Sequence, residues 1–188
     1  MTLAAMLSAC VTTEPYPQGW TPLPDEAPED CSIPDGLYAN RAADAHRSYP
    51  LGRHLSFDGG AEFIRFTSDE RGTVTLAAVR YGEVIAQQTL AGDTAQVRCK
   101  AGWLLFDTSG WIANPAGAGI QSKVLGMLFA NGYLVVKRRD SFAGWAYILP
   151  AVGSSESWYR YEWLGEVDLR QMQEEILERN KQAKPYRW

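Results

Sequence analysis

Lys123–Arg139 reads KVLGMLFANGYLVVKRR. Two apolar runs flank Asn131-Gly132, and both central residues of that pair tolerate the positive φ that a type I′ turn requires. The stretch therefore predicts an antiparallel hairpin. YLVV (133–136) is apolar at every position, as is LLF (104–106). Strands that offer no polar face lie at the centre of a sheet.

Working outward, short strand-like runs recur about every 8–15 residues, the spacing of an all-β sandwich or barrel. GLYAN (36–40) follows a Pro-Asp-Gly turn. EFIRFTS (62–68) leads through DERG to TVTLAAVRY (73–81), and YGE (81–83) reverses the chain into VIAQQTLA (84–91). TAQVRCK, GWLLFDTS, GWAYIL (144–149) and SWYRYEWL (157–164) follow. In the last run Tyr159, Tyr161 and Trp163 share one face. The expected fold is mainly β: an antiparallel meander forming a barrel or sandwich-like sheet, with one C-terminal amphipathic helix. Gly153-Ser154-Ser155 reads as a flexible turn, and KRRD (137–140) as a solvated strand end or an anion or partner contact. The helix is expected over about 166–184, where Asp168 and Gln171 have capping-box spacing. Leu169, Met172, Ile176 and Leu177 fall on one helical face. Glu174, Glu175 and Glu178 disfavour anionic lipid, so the apolar face is expected to pack on the sheet.

The chain has 188 residues, and its formal net charge of −4 comes from 18 basic and 22 acidic residues. One domain is the default at this length. No basic block is large enough to neutralise a phosphate backbone, which argues against nucleic acid as a partner. GxSxG, HExxH, the P-loop and GxGxxG are absent from the sequence. No CxxC occurs, and His46 and His54 are the two histidines, so neither a metal nor another cofactor is expected. The long, poorly periodic stretch 35–60 gathers Tyr38, Arg41, Asp44, His46, Arg53 and His54. Tyr38, Arg41, His46, Arg53 and His54 are the candidate ligand or partner contacts. His46 or His54 could serve a general base in an envelope enzyme; the competing reading is that they bind the loop to the sheet. The aromatics Trp103, Trp111, Tyr133, Trp145, Tyr147, Trp158 and Trp163 are expected mainly in the core, with a ligand-binding concave surface as the alternative.

Location is read from the start, where Leu7, Ser8, Ala9 and Cys10 spell LSAC. This resembles the bacterial lipobox, which implies cleavage before Cys10 and lipidation of its thiol. Residues 1–9 are then the remnant of a signal peptide. No Lys or Arg precedes Leu7, so the true start is expected upstream. The competing reading is a cytosolic N-terminus with an incidental cysteine. Residues 10–30 are rich in Pro and acid and are expected to stay mobile, a tether for a domain over 31–188. Val11 stands where many inner-membrane lipoproteins carry Asp, so by analogy the outer membrane, facing the periplasm, is expected. If Cys10 carries lipid, Cys31 and Cys99 remain as a pair, and an oxidising periplasm would bridge them. Two free buried thiols are the alternative.

Cys31, Gly36, Tyr38 and Asn40 also match the start of the mature domain in uncharacterised small lipoproteins of Gram-negative bacteria. That resemblance implies an envelope location and a structural Cys31, and no activity. The glycine-aromatic opening is similar to that of lipocalins, which carry Trp where this chain has Tyr38. The resulting expectation is a membrane-anchored envelope lipoprotein, palmitate-bearing through Cys10, with a non-catalytic binding or structural role. Its partners would be membrane lipid and another envelope protein or a small apolar ligand, the latter in a lipocalin-like carrier.

Overall fold

The computed structural model describes residues 9–24, 31–44, 49–57, 59–69, 73–90, 97–114, 117–146 and 149–182. In chain order the elements are β1 (Ala9–Thr13), β2 (Gly36–Ala39), α1 (Leu51–His54), β3 (Phe63–Ser68), β4 (Val74–Arg80) and β5 (Glu83–Leu90). Then come β6 (Val97–Lys100), β7 (Trp103–Asn114), β8 (Gly117–Ala130), β9 (Tyr133–Ala146), β10 (Leu149–Gly165) and α2 (Leu169–Gln182). Strands pair in the order β5-β4-β3-β2-β10-β9-β8-β7-β6, with β1 added in parallel to β10. The sheet is otherwise antiparallel and does not close on itself.

Turn chemistry sets the hairpins. Asn131 (φ 54°) and Gly132 (φ 78°) form the type I′ turn expected between β8 and β9. The same left-handed pairs occur at Tyr81-Gly82 and Ala101-Gly102, joining β4 to β5 and β6 to β7. Each places two strands edge to edge with no further residue, so register is fixed locally.

The chain divides into two compact units where the sequence suggested one domain. The first comprises residues 1–32, 93–130 and 135–158. It holds β1, β6, β7, β8, most of β9 and the start of β10. One of its core clusters joins Ala130, Val135 and Trp158, with Tyr16, Trp20, Leu23 and Trp103 packed against it. The second comprises residues 33–92, 131–134 and 159–188. Here Leu37, Tyr38, Ile64, Phe66, Leu76, Ala78, Val79 and Tyr161 are fully or almost fully buried.

Three sequence expectations change. The stretch 10–30 is not a mobile tether over its described part. Val11–Thr13 pair with Ser154–Glu156. The Trp158 indole N–H donates to the Glu14 carbonyl at 2.9 Å, and Tyr16 meets Trp20 and Trp158 edge to face. The few aliphatics suggested disorder, but Tyr16 and Trp20 supply the buried area and β10 supplies an open edge. Residues 25–30 lie outside the described residues. Gly153–Ser155 lie inside β10 rather than in a turn. KRRD lies within β9 rather than at its end. Lys137 pairs with Glu156 at 3.0 Å, and Arg138 makes a two-point ion pair with Asp140.

α2 begins as expected. Asp168 Oδ1 accepts the Arg170 N–H at 2.9 Å, and its carbonyl accepts the Met172 N–H at 3.0 Å. The helix crosses the β4–β5 turn, where Gln173 donates to Glu83 at 3.0 Å. A Cβ on Gly82 would stand 2.9 Å from that of Gln173, so the glycine serves both the turn and the close approach. Leu177, expected on the packed face, is exposed.

Candidate functional site

The polar loop after β2 is held by one asparagine. The Asn40 amide donates to the Ala61 carbonyl and its Oδ1 accepts the Gly52 N–H, both at 2.7 Å. The Asn40 carbonyl accepts the Leu51 N–H at 2.8 Å. The loop therefore begins and ends on Asn40, with α1 packed between. Arg160 of β10 adds an ion pair to Asp44 at 3.1 Å, and the Tyr161 hydroxyl donates to the Tyr49 carbonyl at 2.8 Å.

Within this frame the predicted residues separate. Tyr38 is fully buried, and its hydroxyl donates to the Pro34 carbonyl at 2.7 Å. Burial, with the Asp35 carboxylate adding to it, raises the phenol well above its ordinary value. It is a core residue. His54 is 2 % exposed and ringed by Tyr49, Tyr159 and Tyr161, with ring centroids 4.5, 4.7 and 6.1 Å away. This packing supports the structural reading of His54 and leaves little access for a substrate. Arg41 and Arg53 are exposed. His46 lies outside the described residues. Cys31 and Cys99 stand at disulfide distance in the first unit, with Cα atoms 5.7 Å apart.

Two features were not foreseen. In the second unit a groove of about 560 Å³ lies beside the start of α2. Asp35, Arg65, Thr67, Glu166, Asp168 and Arg170 supply its polar lining. Asp35 is fixed there by the Ser68 N–H at 2.8 Å and the Ser68 hydroxyl at 2.7 Å. Gly36 forms the floor at φ 133°, and a Cβ there would meet the Gly165 carbonyl oxygen at 2.5 Å. Three carboxylates and two guanidinium groups line the groove, which suits a small polar ligand carrying both charges better than an apolar one. The groove draws residues from β2, β3 and α2, so no sequence window contains it.

In the first unit the aromatics divide. Trp158 is buried under Lys137, whose ammonium lies 4.8 Å from its ring centroid, and Trp103 is half-buried. Trp111 and Trp145, expected in the core, are 69 % and 56 % exposed. Tyr147 lies outside the described residues. Compared with known proteins, the chain matches no family model, no curated protein and no solved structure.

Proposed function

We propose that this chain is a cell-envelope lipoprotein, held to the outer membrane through Cys10 and facing the periplasm, with a non-catalytic binding or structural role. The observation that carries the reading is the cysteine pairing. Of the three cysteines, Cys31 and Cys99 stand together, and the one that remains is Cys10 of LSAC. Small residues before a cysteine are what a lipoprotein signal peptidase accepts, and a thiol left out of the disulfide is what acylation needs. Intact-mass measurement of protein extracted from membranes without reductant tests it. The expected species begins at Cys10, carries acyl chains and is two hydrogens lighter than the dithiol form. An unmodified Cys10 thiol on protein from the soluble fraction overturns it.

The groove beside α2 favours a binding role for the second unit. Its charged lining supports a small zwitterionic ligand over the apolar cargo of a lipocalin-like carrier. A thermal-shift screen of amino acids and phosphate esters checks this. A ligand that stabilises the wild type and not Arg65→Ala supports it; stabilisation by apolar ligands alone refutes it.

A further inference from the structure

The outer half of the first unit's sheet carries no charge. Thr108–Ser122 of the β7–β8 hairpin and Ser141–Ser155 of the β9–β10 hairpin contain no Asp, Glu, Lys or Arg, and neither does β1. Charge resumes abruptly at Asp107, Lys123, Asp140 and Glu156, where Arg138–Asp140 and Lys137–Glu156 form ion pairs.

One face of this uncharged region is apolar and open. Trp111 stands directly opposite Ile120 in the β7–β8 register. Counting from the Asn131-Gly132 turn puts Gly119 opposite Gly144, and the two backbones do meet there, a Cβ on Gly119 falling 2.7 Å from the Gly144 Cα. Trp145 is therefore on the face of Ile120 and Trp111. β9 ends at Ala146 and β10 begins at Leu149, which sets Ala143 opposite Val152; Val152, and Val11 through its partner Ser154, therefore lie on the face of Ile120, Trp111 and Trp145. Val11, Trp111, Ile120, Trp145 and Val152 are 50–69 % exposed. Single exposed apolar residues are ordinary, but five on one uncharged face are not.

β1 supplies the occupant. β1 is an edge strand, and its parallel register sets Cys10 beside Gly153 and one residue from Val11, so acyl chains on Cys10 would leave the sheet at the rim of this face. We infer that this face rests on the membrane that holds the acyl chains of Cys10, with Trp111 and Trp145 seated at the headgroup level. The identity of the surface rests on the acylation proposed above; the apolar face does not depend on it. Tryptophan is the residue that favours the interface, where its ring is buried and its N–H stays hydrated. The β7–β8 ladder is paired from Leu104–Met127 out to Asn114–Gly117, so its inner backbone groups are satisfied before contact with lipid.

The test uses the full chain with Cys10→Ser, which removes acylation, and vesicles of phosphatidylethanolamine and phosphatidylglycerol. The Cys10→Ser protein should cosediment with the vesicles, and brominated acyl chains should quench its tryptophan fluorescence. Adding Trp111→Ser and Trp145→Ser should weaken partitioning by roughly tenfold for each tryptophan and remove the quenching. Trp111→Phe with Trp145→Phe should keep partial binding and controls for folding. Three results overturn the inference: no cosedimentation of Cys10→Ser, binding indifferent to both tryptophans, or an oligomer that the serine variants turn into monomer, which would make the face a contact between copies. Failure of the acylation reading appears separately, as a free Cys10 thiol in the intact mass.

Discussion

Replacing Cys31 and Cys99 together by serine should cost about 4 kcal/mol. The bridge spans 68 residues, and the loop-entropy relation gives about 4.4 kcal/mol at 25 °C for a loop of that length. The loop encloses all of β2 to β5, so reduction frees that excursion of the chain, while β7 to β10 lie outside it. Cys99 is exposed, which gives a reductant access and allows the same measurement on the unaltered protein. The assay is urea unfolding followed by tryptophan fluorescence, with and without reductant. With a slope of about 2 kcal/mol per molar urea, the midpoint should fall by about 2 M. Both cysteines belong to the first unit, so if the units unfold separately, the transition reported by Trp158 should move. A midpoint that shifts by less than about 0.3 M at equal slope would refute the argument, since it would mean that the loop is not being closed by these sulfurs.

Other residues give sharper local tests. Gly36→Ala should destabilise by about 2 kcal/mol or more, because it adds left-handed strain to a Cβ 2.5 Å from the Gly165 oxygen; an unchanged melting temperature would contradict this. Ala101→Asn should stabilise by about 0.5–1 kcal/mol, since Ala101 holds φ 50° in a two-residue turn that asparagine adopts at lower cost, and chemical denaturation reads the gain. Asn40→Ala should cost about 2–3 kcal/mol and raise amide exchange at Gly52, because it removes two part-buried side-chain hydrogen bonds at once. Tyr38 makes stability fall at high pH. Its folded pKa is raised, so its contribution is complete below the ordinary value of 10.0 and is lost above it as the unfolded phenol ionises first. Stability should drop by about 1.4 kcal/mol per pH unit there from this group, and Tyr38→Phe should remove that part of the slope.

Local chemistry was legible wherever neighbouring residues decide the structure. Asn131-Gly132 specifies a hairpin because only a few residue pairs accept two positive φ values, and Asp168 caps α2 because its carboxylate reaches an amide two residues on. Strands with small residues were harder. GWAYIL reads as one short strand and Gly153–Ser155 as a turn because Ala, Gly and Ser carry little hydrophobic alternation, whereas Trp145 belongs to β9 and Gly153–Ser155 to β10. The sequence also understated Tyr16 and Trp20, whose burial depends on Trp158, more than a hundred residues away.

By itself, then, the sequence determined the β class, the hairpin turns, the cap of the last helix and the cysteine arithmetic, all of which depend on contacts a few residues apart or on composition. Only the tertiary structure decided that Val11–Thr13 form a strand on β10, that Tyr38 and His54 are packed inside, and that Trp111 and Trp145 face outward. The physical reason is that burial belongs to a face, and which face is covered depends on strand partners that no local window contains.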